Sequence, residues 1–281
     1  QQLIKDLNLK DEDGLQSYFI QRMEKYLNGK GRSIIGWDEI LEGGLAPNAT
    51  VMSWRGVDGG IEAAKLNHDV IMTPGSMGLY FDHKSSVSPD EPLTISGLGK
   101  GFSNYMKVYG YDPVPSKLPA DQKKFIKGVQ GNVWTEYIES AEKVEYMILP
   151  KMLALSEIAW GQLDRKNLVN FSEERLPVHL AKFDQNTNYW VPTPIGQTEA
   201  LLNGATHTIS LKAPVAGAKI YYTLDNYRPT ENATLYTASF KVNVPEGKKK
   251  ILKTVVITPS GKRSVVLETV LNNDATETKT K

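Results

Sequence analysis

Cysteine is absent from the 281 residues. That excludes disulfides, thiolate metal sites and a cysteine nucleophile. No apolar run is long enough to cross a bilayer as a helix. The formal net charge is +1, so no excess of one sign points to nucleic acid or an anionic membrane surface as a partner. The four histidines, His68, His83, His179 and His207, lack metal-ligand spacing, and there is no Gly-rich phosphate loop or Gly-x-Ser-x-Gly elbow. No metal, cofactor, nucleic-acid or membrane partner is therefore expected. Gln1-Gln2-Leu3-Ile4-Lys5 also lacks the basic-then-apolar pattern of a signal sequence and reads like the middle of a protein. The chain is expected to be a fragment or a mature piece of something longer.

What is present alternates in period. Asp13 can cap a helix whose apolar positions Leu15, Phe19, Ile20, Met23 and Leu27 recur at helical spacing, with Asn28-Gly29-Lys30-Gly31 as its stop. Short apolar strands are predicted over 32–39, 49–55, 69–74 and 127–135, with a helix over 59–66 and a long loop from Gly75 to about Pro119. One strongly apolar helix is predicted over 140–160, its buried face set by Val144, Met147, Ile148, Met152, Leu155 and Ile158. Pro150 kinks it or marks a join. Apolar strands alternating with helices imply a parallel sheet. Four βα units in this stretch make half of a (β/α)₈ barrel, which typically needs ~250 residues. Val191-Pro192-Thr193-Pro194 reads as a linker. Beyond it, alternating segments at 208–211, 219–224, 239–242, 251–258 and 264–271 read as a small all-β sandwich. The expected division is 1–192, 195–273 and a disordered tail, 274–281. The Lys248-Lys249-Lys250 run reads as a solvated turn.

The strand ends carry the candidate chemistry. In the stretch from Gly128 to Glu136, Trp134 and Glu136 are two apart and would share one face of a strand. A ring and a carboxylate side by side suit a sugar; a buried core tryptophan followed by a solvated glutamate is the alternative. Trp37 and Trp54 end the first two strands. Tyr80-Phe81-Asp82 follows the third, with Tyr80 and Asp82 on one face and Phe81 packing away. Aromatic walls with a few carboxylates at four successive strand ends describe a carbohydrate pocket. Asp38 and Glu39 are adjacent, so on a strand they point to opposite faces. Structural support, a cap or a salt bridge, is favoured over an acid–base pair for them.

These motifs resemble a known family. Ile35-Gly36-Trp37-Asp38-Glu39-Ile40, Val51-Met52-Ser53-Trp54-Arg55-Gly56, Tyr80-Phe81-Asp82, Gly131-Asn132-Val133-Trp134-Thr135-Glu136 and the stretch from Pro150 to Trp160 resemble the C-terminal half of family 20 glycoside hydrolases, the bacterial β-N-acetylhexosaminidases. They follow the family's order over roughly residues 1–190. The segment from Tyr221 to Asp225, with Arg228-Pro229-Thr230, resembles the small β-sandwich that often trails the catalytic barrel.

The resemblance implies an α/β fold: units five to eight of a (β/α)₈ TIM barrel followed by an immunoglobulin-like sandwich. It implies exo-acting hydrolysis of terminal β-linked N-acetylhexosamine from glycans, with retention, the substrate's own 2-acetamido oxygen acting as nucleophile. By motif, Trp37, Trp54 and Trp134 would line the pocket, Tyr80 would position the acetamido group, and Asp82 and Glu136 would bind outer sugar hydroxyls. The family's Gly-Gly-Asp-Glu-like motif, which supplies the catalytic pair, is absent from these residues. So are its sugar-binding arginine and a further loop tryptophan. The chain alone is therefore expected to be inactive. Its expected partners are β-N-acetylhexosaminide glycans and either the N-terminal half of a barrel or a second copy. The alternative is a non-catalytic carbohydrate-binding or adhesion module. Glycan substrates imply export to the periplasm or cell surface.

Overall fold

The computed structural model describes residues 1–86, 88–92, 102–198 and 201–274. Two compact units emerge, one drawn from Gln1–Lys84, Thr94–Tyr137 and Lys151–Lys166, the other from Ser85–Leu93, Ile138–Pro150 and Asn167–Lys281.

In the first unit, helices α1 (Gln2–Asp6) and α2 (Glu12–Asn28) precede four strands: β1 (Ile35–Trp37), β2 (Thr50–Ser53), β3 (Val70–Met72) and β4 (Ile126–Val129). The strands are all parallel and lie side by side in chain order. Helix α3 (Asp58–Lys65) joins β2 to β3, as a parallel pair requires a crossover. Val51, Val70 and Met72 are fully buried, as are Ala63 and Ala64 on α3. Close packing of α3 on the sheet depends on Gly60, where a Cβ would stand 2.5 Å from the Met72 sulfur.

Several expectations need correction. Helix α2 is capped by Asp11, whose side chain accepts from the Gly14 N–H, and not by Asp13, which lies in its first turn. Its apolar row is not its buried face: Phe19 and Met23 are exposed, while Ser17 and Glu24 are buried. The reason is polar. Ser17 Oγ donates to Gly44 O at 2.7 Å, and Glu24 Oε1 accepts from Asn48 N at 2.6 Å. The predicted loop after Gly75 contains helix α4 (Tyr105–Gly110), capped by Asn104, which is too short to show a periodic pattern. Residues 87 and 93–101 of that loop lie outside the described residues. The single helix over 140–160 is two, α5 (Ala141–Ile148) and α6 (Lys151–Trp160). Pro150 has no N–H to continue the ladder. The phase restarts after it, so α6 buries Lys151, Ala154 and Ile158, while Met152 is exposed.

The second unit holds α5, then α7 (Leu168–Asn170), which passes through a π-helical turn at Phe171–Arg175 into α8 (Leu176–Phe183). Seven strands follow: β5 (Leu202–Asn203), β6 (Thr206–Ile209), β7 (Lys219–Thr223), β8 (Thr234–Leu235), β9 (Phe240–Asn243), β10 (Lys249–Ile257) and β11 (Leu267–Asn272). Five form a sheet in the order β5-β11-β10-β7-β8, and β6 pairs with β9. Ile209, Val242, Val244, Leu252 and Leu271 make the core, with Tyr222 and Phe240 packed against it. Lys248 precedes β10, and Lys249 and Lys250 begin it. All three are solvated, but the run is a strand start and not only a turn. Asp184 ties the segment after α8 to this sheet: its carboxylate accepts from Tyr189 Oη at 2.9 Å and from Ser260 N at 2.8 Å. Arg228 pairs with Asp90 at 2.6 Å across 138 residues of sequence. Residues 275–281 of the expected tail lie outside the described residues.

Candidate functional site

A cavity of about 370 Å³ opens where β1, β2 and β4 end. It is lined by Trp37, Glu39, Trp54, Tyr80, Trp134 and Glu136. Five of the six site residues expected from sequence thus line one space. The rings form a connected wall. Trp37 and Trp134 are 5.7 Å apart between centroids at 47°, Trp54 and Tyr80 are 6.1 Å apart and nearly parallel at 10°, and Tyr80 meets Trp134 at 6.5 Å and 70°.

The local chain explains how short strands deliver these side chains. Strand β1 stops at Trp37, and Asp38–Leu41 turn at once into a 3₁₀ helix. The adjacent carboxylates therefore escape strict alternation, and they divide their work. Asp38 is buried and accepts from Trp54 N at 3.0 Å, Arg55 N at 3.2 Å and Arg55 Nε at 2.6 Å. Arg55 also donates to Glu42 at 2.7 Å. Bonds to Glu42 and Asp38 raise its pKa further above the usual guanidinium range. Asp38 is thus a structural support, as favoured from sequence. Glu39 is different. It lines the cavity, and its Oε2 accepts from the Trp54 indole Nε1–H at 2.9 Å. The sequence favours structural support for Glu39 and does not place it at the cavity, because the signal that does so is the end of β1 one residue before the pair.

Beyond β4 the predicted strand does not continue to Thr135. Gln130 N still donates to Met72 O at 3.0 Å, and Asn132 bridges Tyr80, but Trp134 and Glu136 lie in irregular chain. They face the same cavity without a strand to place them there. Asn132 anchors the segment instead: its Nδ2 donates to Thr73 Oγ1 at 2.8 Å, its N–H donates to Leu79 O and its carbonyl accepts from Phe81 N.

Tyr80, Phe81 and Asp82 also sit off any long strand. Phe81 packs away into the core, as expected. Asp82 does not line the cavity. Its buried carboxylate approaches Trp134 N at 3.4 Å, so it holds the backbone that carries that ring. Burial raises the Asp82 carboxyl and lowers the neighbouring His83 imidazole, 3.9 Å away. Burial, followed by the charge of Asp82, pushes the Tyr80 phenol up to about 12. It therefore remains a hydrogen-bond donor at neutral pH. Lys151, a second residue that carried no role in the sequence reading, is fully buried and donates to Phe81 O at 2.7 Å and His83 O at 2.9 Å.

Chemically, the site offers flat apolar faces with a phenol donor and two carboxylate acceptors at its margin. Among the described residues, no group of three or more His, Cys, Asp and Glu side chains is arranged to hold a metal ion, and no helix is long and apolar enough to cross a membrane.

Comparison with known proteins gives a consistent picture. Residues 1–163 match the glycosyl hydrolase family 20 catalytic domain, and residues 202–268 match the chitobiase/β-hexosaminidase C-terminal domain. A β-hexosaminidase of Porphyromonas gingivalis is 43% identical over 272 residues, covering 95% of this chain and 34% of its own length. A crystal structure of an inactive mutant of the exo-β-N-acetylglucosaminidase from Vibrio harveyi superposes with a TM-score of 0.60 at 27% identity, covering 67% of this chain and 29% of that one. The same enzyme in complex with N-acetylglucosamine gives 0.57 at 26% identity, with the same coverage. The chain spans about a third or less of the length of the relatives it matches.

Proposed function

The chain belongs to glycosyl hydrolase family 20, and from that premise we propose that its cavity is the part of an exo-β-N-acetylhexosaminidase site that grips the terminal sugar. The observation that carries this reading is the convergence of Trp37, Trp54, Tyr80, Trp134 and Glu136 on one cavity. Trp37, Trp54 and Trp134 present apolar faces to the sugar ring and to the methyl of an acetamido group. Tyr80 donates to the acetamido oxygen and so aims it at the anomeric carbon, as substrate-assisted retention requires. Glu136 accepts from outer hydroxyls. Asp82, expected from its motif to share that task, is buried outside the cavity and serves it by holding the backbone of Trp134.

The parent protein then hydrolyses terminal β-linked N-acetylglucosamine or N-acetylgalactosamine from glycans, and is itself exported to the periplasm or cell surface. Export fits the substrate class. The 281 residues contain no Gly-Gly-Asp-Glu-like motif, and general acid–base catalysis typically contributes ~10²–10⁴-fold. We therefore propose that this chain alone binds the sugar without turning it over.

The parallel order β1-β2-β3-β4 supports reading the first unit as units five to eight of a (β/α)₈ barrel. The two facing sheet orders of the second unit support an immunoglobulin-like sandwich. Domain limits of 1–192 and 195–273 accommodate both matched stretches. Exposed Leu3, Phe19, Met23 and Tyr26 on α1 and α2, with Ile35 on the edge strand β1, support a covering partner. That partner is the other half of a barrel where it is present and a second copy where it is not.

The test is hydrolysis of a chromogenic N-acetyl-β-glucosaminide, with the intact mass of the sample checked. Absence of turnover together with binding of N-acetylglucosamine supports the reading. Turnover at the mass of these residues overturns the assignment of inactivity.

A further inference from the structure

We infer that Glu39 is a positioning residue for the sugar cavity: it holds the indole of Trp54 parallel to Tyr80 and so keeps the slot between the rings open. This rests on the proposed reading of the cavity as an N-acetylhexosamine site.

Three observations carry it. First, Glu39 Oε2 accepts the Trp54 Nε1–H at 2.9 Å, and Glu39 lines the same cavity. A bond to an ionised acceptor is about twice as strong as a neutral one and fixes direction. An indole has one donor, at one corner of the ring, so this bond removes the flip and limits the tilt of the ring plane. Second, the plane it fixes is the one that lies within 10° of Tyr80 at 6.1 Å between centroids. Third, the backbone of the same residue is held by the neighbouring carboxylate, since Asp38 takes the N–H groups of both Trp54 and Arg55. One dipeptide therefore sets both the main chain and the ring of Trp54. The negative charges also act on the facing phenol. After burial and Asp82, Asp38 and Glu39 add to the forces that keep Tyr80 protonated.

Position matters because Glu39, Trp54 and Tyr80 all lie past the ends of their strands, where the pairing of β1, β2 and β3 no longer fixes the side chains. Trp54 rotated about its χ angles would lean on Tyr80 and narrow the space that the acetamido group needs. Glu39 works through Trp54 and does not need to touch the ligand.

The experiment is ¹H–¹⁵N NMR of the full chain labelled at tryptophan, with the Trp54 indole signal assigned by Trp54→Phe among the five tryptophans. N-acetylglucosamine is titrated into the same samples. The wild-type Trp54 Nε1–H is expected far downfield and slow to exchange. Glu39→Ala should move that signal upfield, speed its exchange and weaken N-acetylglucosamine binding on the order of tenfold. Glu39→Gln, which keeps an acceptor, should retain most of both. In a Trp54→Phe background, Glu39→Ala should cost no further affinity. Where Glu39→Ala fails to fold, Glu39→Asp, which withdraws the carboxylate by one methylene, should give the same upfield shift. An unchanged Trp54 signal in Glu39→Ala overturns the inference. So does a loss of affinity that persists without the indole, which would mean direct contact with the sugar. If the wild-type chain binds no N-acetylglucosamine, the proposed function fails, and the Trp54 signal still decides whether Glu39 holds the ring.

Discussion

The ammonium of Lys151 donates to the carbonyl oxygen of Phe81 at 2.7 Å, with its side chain wholly buried. A second bond reaches His83 O at 2.9 Å. The two carbonyls flank Asp82, so a cation at the start of α6 clamps the loop that supplies Tyr80 and Asp82 to the site. A buried cation is tolerated only where oxygens replace its water shell.

Replacing Lys151 with methionine keeps the stem and removes the charge. Two buried carbonyls then lose their donor, and the chain should lose about 2–3 kcal/mol of stability in urea unfolding. The Lys151 charge also draws the Asp82 carboxyl downward against burial. Its removal should therefore move the Asp82 titration to higher pH, visible by carboxyl-detected NMR.

Gly131 is where β4 gives way to the Trp134 segment. A Cβ there would stand 2.7 Å from the Phe81 ring and 3.2 Å from Leu155. Gly131→Ala should cost ~1–3 kcal/mol by overpacking, whereas Gly128→Ala, with nothing within 4 Å of its Cβ position, should cost less. Thermal unfolding of the two variants side by side checks this.

Asp184 gives a pH prediction. Burial alone would raise its carboxyl, but hydrogen bonds from Thr258, Ser260 and Tyr189 outweigh burial and hold it below the usual carboxylate value. The folded state then binds fewer protons than the unfolded state in acid. Its contribution is whole above about pH 4 and is lost as pH falls through the depressed value. Urea unfolding between pH 6 and pH 2.5 should show a fall in stability that is shallower in Asp184→Asn.

Tryptophans should separate by location. Trp134 lines the cavity, while Trp160 is 90% exposed. Trp134→Ala should weaken N-acetylglucosamine binding about tenfold, the worth of one aromatic face. Trp160→Ala should leave it unchanged. Fluorescence titration of both variants decides this.

Much of this arrangement was legible in the residues. The order of the four parallel strands, the join at Pro150 and the gathering of Trp37, Trp54, Tyr80, Trp134 and Glu136 all follow from period and motif. What escaped has a common physical cause. Glu39, Lys151 and the inner position of Asp82 depend on where a strand stops and on hydrogen bonds to backbone atoms distant in sequence. Side-chain period carries no record of either. Helix α2 shows the same limit from the other side. Its apolar row predicts a buried face, but Ser17 and Glu24 make the hydrogen bonds that turn the polar side inward.

The central claim is that the aromatic cavity is an N-acetylhexosamine site. Isothermal titration of the chain with N-acetylglucosamine and with glucose, repeated on Trp54→Ala, tests it most directly. The account predicts saturable binding of N-acetylglucosamine, much weaker binding of glucose because it lacks the acetamido group, and loss of the difference in Trp54→Ala. Equal affinity for the two sugars, or selective binding that survives Trp54→Ala, would contradict it.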